Sequence, residues 1–130
     1  MLVRAGMWLL GLVYLGWGVP AVVAPQWFFD HFPGLGQHWT AAYPPYNEHL
    51  MTDVGVAACT LGGMLVAGAF LADRKVNAIV LGAVAFYESL HLVFHLREHG
   101  ALGSASLTLS LLSLAVGVLF PIALLIANRR

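Results

Sequence analysis

A row of polar residues interrupts the third of four apolar segments in this sequence. Glu88, His91, His95 and His99 recur at spacings of three or four residues. At 100° per residue they fall within about 80° of one another on a helix, so they share one face. A carboxylate and several imidazoles on an otherwise apolar helix must be hydrated, paired or bound to a ligand. We therefore predict that this face is the functional centre of the protein.

A second polar face opens the preceding apolar segment. His49 and Asp53 are four residues apart and lie on one side of a helix, with Thr60 on the same side. Asn47 is the expected N-cap of that helix, and Glu48 suits a helix N-terminus. The two polar faces are carried by consecutive segments. Whether the faces meet depends on the secondary-structure elements that these segments form.

The composition indicates that those elements span a membrane. The chain has 130 residues, of which 60% are hydrophobic and 9% charged, whereas soluble domains carry roughly 25% charged residues. Four apolar segments, at about 5–24, 50–72, 76–96 and 104–127, approach the ~20 residues that a helix needs to cross a bilayer. They are too long for spanning strands, which need only about 9–11 residues. We predict an all-α, antiparallel up-down bundle of four transmembrane helices, a single integral membrane domain over residues 1–130.

The distribution of charge orients this bundle in the bilayer. The formal net charge is zero, which argues against nucleic acid as a partner. The expected partner is the lipid bilayer. With four spans, five of the six Lys and Arg residues share one side, and only Arg97 lies on the other. The five are Arg4, Arg74, Lys75, Arg129 and Arg130. The positive-inside rule then predicts a multi-pass protein of the cell membrane with both termini in the cytoplasm.

The long loop at about 25–47 is therefore expected outside. It is rich in aromatic residues and proline and contains no Lys or Arg. Because Trp and Tyr favour the membrane interface, the loop is expected to lie on the headgroups or to form a lid over a site. Pro20 and Pro25 are expected to end the first helix. Cys59 is the single cysteine, so no intrachain disulfide can form.

This orientation brings the two polar faces to a common depth. Glu88 lies about 14 Å below the outer end of its helix, near the bilayer centre, and Asp53 lies about 6 Å deeper than His49. Consecutive antiparallel helices normally pack together, so we predict one outward-facing pocket between the second and third spans. Its members are His49, Asp53, Glu88, His91 and His95. Ionisable residues at this depth are costly and are functional by default.

Metal binding is the first function that these residue types favour, with all five as ligands. Glu88 and His91 have the Glu-x-x-His spacing of carboxylate-bridged di-iron bundles, but such bundles need two copies and this chain has one. A mononuclear Zn, Fe or Cu centre with a redox or hydrolytic role therefore fits better. Haem ranks below it, because the carboxylates would then have no role.

Functions without a metal use the same residues. Glu88 and Asp53 are candidate acid and base catalysts, with histidines relaying protons, for a lipid-soluble substrate that enters from the outer leaflet. Alternatively, the chain is an accessory or ligand-binding subunit of a larger membrane complex, or forms a homo-oligomer. A structural Asp53–His91 pair that locks two spans together is also open. A transporter fits less well, because the cytoplasmic half lacks polar residues for a path.

The layout resembles the small four-span bacterial proteins of the DoxX-like superfamily. The similarity lies in the glycine-dotted first span ending in GWGVPAVVAPQWFF, the long outer loop and the polar start of the second span, NEHLMTDVG. The resemblance covers the whole chain and implies a four-helix membrane fold with links to redox and thiol-oxidation systems. It supplies no catalytic residues. The third-span run FYESLHLVFHLREH is richer in histidine than that family's general pattern.

Overall fold

The computed structural model describes residues 1–129, and within them four long helices form the bundle. These are α1 (Leu2–Val23), α3 (Glu48–Leu71), α4 (Arg74–Arg97) and α5 (Ser104–Ala127), while a short helix, α2 (Pro25–His31), lies in the long loop. All four long helices have the length and apolar composition needed to cross a membrane. The predicted all-α four-helix bundle is confirmed, and the chain is an integral membrane protein.

Side-chain caps begin two of the spans. Asn47 is the N-cap of α3, as predicted, and its Oδ1 accepts a hydrogen bond from the backbone N–H of Leu50 at 3.0 Å. Asp73 caps α4 in the same way, accepting from the N–H groups of Lys75 and Val76 at 2.9 Å each. These caps satisfy N–H groups that have no partner inside the helix.

The expectation that Pro20 ends the first helix is wrong. α1 continues through Pro20 to Val23, and Pro25 instead occupies the first turn of α2. Proline suits that first turn because the N–H it lacks would have no helical partner there. Inside a membrane bundle proline is also tolerated, since neighbouring groups satisfy the backbone that it frees.

The glycines of α1 and α3 allow these two helices to pack closely. A Cβ atom added at Gly62 would lie 3.0 Å from the carbonyl oxygen of Gly11, and one added at Gly55 would lie 2.9 Å from Cβ of Ala21. No side chain separates the backbones at these points. Such close approach is the usual means of helix association in lipid, where apolar burial gives little driving force.

Each long helix packs on the next along the chain, and α1 packs on α5 to close the bundle. The core between them contains Met7, Leu65, Leu81 and Val84. Large apolar side chains also cover the outside, among them Leu12 at 60% exposure and Phe86 at 67%. An apolar exterior of this kind is suited to contact with lipid tails.

The loop between α1 and α3 folds across the bundle. After α2 comes a small hairpin of β1 (Pro33–Gly34) and antiparallel β2 (Gln37–His38). A 3-10 turn follows at Thr40–Ala42. Ser106 Oγ donates to Gln37 Oε1 at 2.6 Å, and the N–H of Ala101 donates to the carbonyl of Ala42 at 2.8 Å. These contacts tie the loop to the α4–α5 connection, and we call this side of the bundle the loop end.

The opposite end of the bundle is held by Arg74. Its Nε donates to the carbonyl oxygen of Asn128 at 2.9 Å, and Nδ2 of Asn128 donates back to the carbonyl of Arg74 at 2.8 Å. The guanidinium also bonds the carbonyl of Arg129. The start of α4 is thereby joined to the end of α5.

Candidate functional site

Glu88 lies buried where three helices meet. Only 7% of the residue is exposed, and its Oε1 accepts a hydrogen bond from the hydroxyl of Tyr14 on α1. On the other side is α5, where a Cβ atom added at Gly117 would lie 2.9 Å from Oε2. Gly117 therefore leaves the space that the carboxylate occupies. The partners of Glu88 come from the first and fourth spans.

His91 and His95 continue from Glu88 toward the loop end. Nδ1 of His91 is 3.8 Å from Oε2 of Glu88, and Nε2 of His91 is 3.0 Å from Nε2 of His95. His91 Nδ1 is buried and has no hydrogen-bond partner among the described residues. The two nitrogens of the His91 ring thus face different neighbours.

The loop supplies the last member of this series. The hydroxyl of Tyr43 is 2.9 Å from Nδ1 of His95 and donates to the carbonyl oxygen of Glu98 at 3.0 Å. We call Tyr14, Glu88, His91, His95 and Tyr43 the polar row. The row leads from a buried carboxylate to a loop residue at the end of the bundle, and each internal member faces a partner on either side.

His49 and Asp53 stay apart from this row. Nε2 of His49 is 3.4 Å from Oδ2 of Asp53, and their side chains are 88% and 61% exposed. The structure pairs them with each other on the outside of α3. It thus brings together Glu88, His91 and His95 of the five predicted site residues.

The donor geometry bears on the metal prediction. Within residues 1–129, no group of three or more His, Cys, Asp or Glu side chains is placed to hold a metal ion. In the polar row, Glu88 and His95 face opposite nitrogens of His91. The three groups are arranged in series, and a single ion needs ligands that converge.

A series of donors and acceptors of this kind can carry a proton. Two arrangements of the protons give each contact in the series one donor and one acceptor. In the first, Tyr43 donates to the carbonyl of Glu98, Nδ1 of His95 donates to Tyr43, and Nε2 of His91 donates to His95. Nδ1 of His91 is then a bare acceptor, and Glu88 carries the proton that faces it. In the second arrangement the Tyr43–His95, His95–His91 and His91–Glu88 contacts are reversed, Tyr43 no longer donates to the carbonyl of Glu98, and Glu88 is an ionised acceptor.

The two arrangements differ by one proton. Conversion of the first into the second breaks the O–H bond of Glu88 and forms N–H at Nδ1 of His91. His91 and His95 each pass on the proton on their other nitrogen, and the original Tyr43 proton leaves to water. The 3.8 Å separation between Glu88 and His91 exceeds a hydrogen bond of about 2.7–3.2 Å, so this step needs a small side-chain movement.

Three residues of the site were not among the predicted ones. Tyr14 had a usable signal, because a tyrosine hydroxyl inside an apolar span needs a hydrogen-bond partner. Gly117 could not be predicted from the sequence, because its contact with Glu88 depends on how α5 packs. Tyr43 had no signal, since its position depends on the fold of the loop.

Comparison with family models, with curated proteins and with solved structures finds no match for this chain. The resemblance to the DoxX-like superfamily therefore stays a prediction from layout. The geometry described above is what supports a functional proposal.

Proposed function

We propose that this integral membrane protein is an acid–base protein that exchanges protons between Glu88, deep in the bilayer, and the aqueous surface at the loop end. The observation that carries the proposal is the polar row itself. Its members alternate donor and acceptor atoms from Tyr14 to Tyr43, with separations of 3.0 Å between the two imidazoles and 2.9 Å between His95 and Tyr43.

The substrate in this proposal is a protonatable molecule dissolved in the lipid. The side chain of Glu88 is 9% exposed, whereas that of His91 is 34% exposed. The partly exposed His91 ring, 3.8 Å from the Glu88 carboxylate, is where such a molecule would reach the polar row. General acid–base catalysis needs such a group within hydrogen-bond reach of the substrate, directly or through one water.

The loop end faces the extracytoplasmic side in this proposal. Support comes from Arg4, Arg74, Lys75 and Arg129, which lie at the opposite end of the described bundle and which the positive-inside rule assigns to the cytoplasmic side of the membrane. Proton exchange would then draw on the outer aqueous phase. The polar row ends at Glu88 and Tyr14. We therefore propose proton access from one side, without conduction across the bilayer.

Infrared spectroscopy of the protein in lipid vesicles tests proton access directly. The carbonyl stretch of the protonated Glu88 carboxyl is assigned by its loss in Glu88→Gln, at a pH low enough for the band to appear. Its rate of exchange after transfer into D₂O is then measured. His95→Phe keeps a ring of similar size and removes both relay nitrogens, so we expect exchange to slow at least about tenfold.

His99→Phe is the matched control. His99 is exposed, bonds the carbonyl of Leu96 at 3.2 Å and lies outside the polar row, so exchange should keep its wild-type rate. Equal exchange rates in His95→Phe and the wild type would refute the proposal. Exchange lost in both variants would point to a general change in loop packing and would also count against it.

A mononuclear metal centre is the second candidate function. The observation that favours it is the 3.0 Å approach of Nε2 of His91 to Nε2 of His95, since one ion can take both imidazoles as neighbouring ligands. Water or substrate would supply the other ligands. Elemental analysis of detergent-purified protein after reconstitution with Zn, Fe or Cu tests it. Stoichiometric metal that is lost in His91→Ala would support this candidate over the metal-free one.

A further inference from the structure

Two histidines of the loop, outside the polar row, share one end of α2. Nδ1 of His31 is 2.8 Å from the carbonyl oxygen of Trp27, and Nδ1 of His38 is 2.6 Å from the carbonyl oxygen of Asp30. Both imidazoles are exposed. Their ring centroids are 6.4 Å apart, with 59° between the planes.

These hydrogen bonds determine which ring nitrogen is free. A carbonyl oxygen can only accept, so Nδ1 of His31 and Nδ1 of His38 must each carry a proton. In a neutral imidazole the other nitrogen, Nε2, then carries a lone pair. A backbone carbonyl that holds one nitrogen and leaves the other to the metal is the usual outer-shell arrangement for a ligating histidine.

The hairpin is what brings the two rings together. β2 folds back on β1 so that His38 pairs with Pro33, two residues beyond His31. The turn between the strands has Leu35 and Gly36 at φ values of 55° and 76°. Positive φ at both central positions is typical of the tight turns that join two short antiparallel strands. The backbone therefore holds the two histidines near each other before any ligand binds.

The ring separation suits a shared ion. At a metal–nitrogen distance of about 2.0–2.1 Å, an ion lies about 3.2 Å from each ring centroid. Two rings on one ion are then about 5.2 Å apart at a tetrahedral angle and about 6.4 Å apart when opposite each other. The observed 6.4 Å falls at the upper end of that range, so the ring separation is one that a single shared ion allows.

The local charge also favours a cation. Loop residues 25–47 contain no Lys or Arg, and Asp30 adds a carboxylate beside His31. Gln26 Nε2 donates to Oδ2 of Asp30 at 3.0 Å, which holds that side chain on α2. Nothing in this cluster would repel a divalent ion.

We propose that His31 and His38 form a surface site for a late first-row transition-metal ion, held by two imidazoles with water completing the shell. The expected order of affinity is Cu²⁺ above Zn²⁺, because two-imidazole sites follow the general series for divalent metals. This site is separate from the polar row and does not depend on the function proposed for it.

Isothermal titration of the tag-free, detergent-solubilised protein with Cu²⁺ and with Zn²⁺ tests the proposal. The wild type is expected to bind one Cu²⁺ per chain in a saturable manner. His31→Gln and His38→Gln should each weaken binding at least about tenfold, and the double variant should abolish it. Both substituted side chains are exposed, and thermal unfolding of each of the three variants verifies that the bundle is intact.

His49→Gln and His95→Gln are the controls, because the first alters the His49–Asp53 pair on α3 and the second alters the polar row. Both should retain Cu²⁺ binding under this proposal. Absence of saturable binding by the wild type, or unchanged binding in the double variant, would refute it. Binding lost in His95→Gln and kept in the double variant would likewise refute it and place the metal in the polar row.

Discussion

The hydroxyl of Tyr14 on α1 donates a hydrogen bond to Oε1 of Glu88 on α4, and the two residues are 5% and 7% exposed. This bond joins two helices that are not consecutive spans. It gives a buried carboxylate a donor in a region where lipid offers none, and an unpaired charge there would be costly. The Tyr14–Glu88 contact is therefore both a link across the bundle and the inner end of the polar row.

Tyr14→Phe should destabilise the protein, because it removes the donor and leaves the ring. We expect a loss of about 1–3 kcal/mol in the free energy of unfolding, the usual cost of leaving a buried acceptor unsatisfied. Thermal or denaturant unfolding in detergent measures it. Tyr87→Phe is the control, since the Tyr87 hydroxyl makes no hydrogen bond within the described part of the chain. Similar losses in the two variants would contradict the role given to Tyr14.

Gly117→Ala should disturb the same carboxylate from the α5 side. The added Cβ would lie 2.9 Å from Oε2 of Glu88, so the carboxylate or the helix must move. Overpacking of this kind costs about 1–3 kcal/mol, and the infrared band of the Glu88 carboxyl should shift with it. Gly82→Ala, on α4, adds the same methyl group where nothing lies within 4 Å. An unchanged carboxyl band in Gly117→Ala would contradict this prediction, because it would show that the Glu88 carboxylate is not packed closely against α5.

The fold was predictable from the sequence because long apolar segments leave few alternatives in a membrane. Lipid cannot satisfy the backbone, so each segment must be a helix, and short connections make neighbours antiparallel. The predicted third span at 76–96 corresponds to α4 at Arg74–Arg97, and the predicted N-cap Asn47 is observed. Helical spacing likewise placed Glu88, His91 and His95 on one face.

The partners of that face were not predictable in the same way. Helical spacing relates residues within one helix, but the rotation of a helix about its axis depends on packing with its neighbours. Glycines allow α1 to pack closely on α3, and α4 lies against α5. Glu88 therefore contacts Tyr14 and lies next to Gly117, whereas Asp53 is on the outside of α3. The contact between Tyr43 and His95 depends on loop folding, which apolar periodicity does not describe.

Gly62→Ala should weaken the α1–α3 interface. The added Cβ would lie 3.0 Å from the carbonyl oxygen of Gly11 and 2.9 Å from Cγ of Leu15, so the helices must separate. We expect about 1–3 kcal/mol of destabilisation. The adjacent Gly63→Ala is a closely matched control, because a Cβ there meets nothing within 4 Å and alanine is the better helix former. Equal unfolding midpoints for the two variants would contradict the close packing of these backbones.

Tyr43 links the stability of the loop to alkaline pH. Partial burial, and then the nearby Glu98 carboxylate, raise the pKa of the Tyr43 phenol above its ordinary value of 10.0. The folded protein therefore holds this proton more tightly than the unfolded chain does. The resulting stabilisation is complete below pH 10 and is lost as the pH rises through the higher pKa of the folded state.

Unfolding temperatures measured between about pH 8 and pH 12 should therefore fall less steeply in Tyr43→Phe than in the wild type. Burial, Glu48 and Asp30 also raise the pKa of Tyr46, so part of the alkaline loss should persist in this variant. The absorbance of tyrosinate provides an independent measurement, since the wild type should retain one more protonated phenol than Tyr43→Phe just above pH 10. Identical pH profiles in the two proteins would mean that Tyr43 ionises as freely as it does in water, and that the loop does not hold its hydroxyl against His95 and the carbonyl of Glu98.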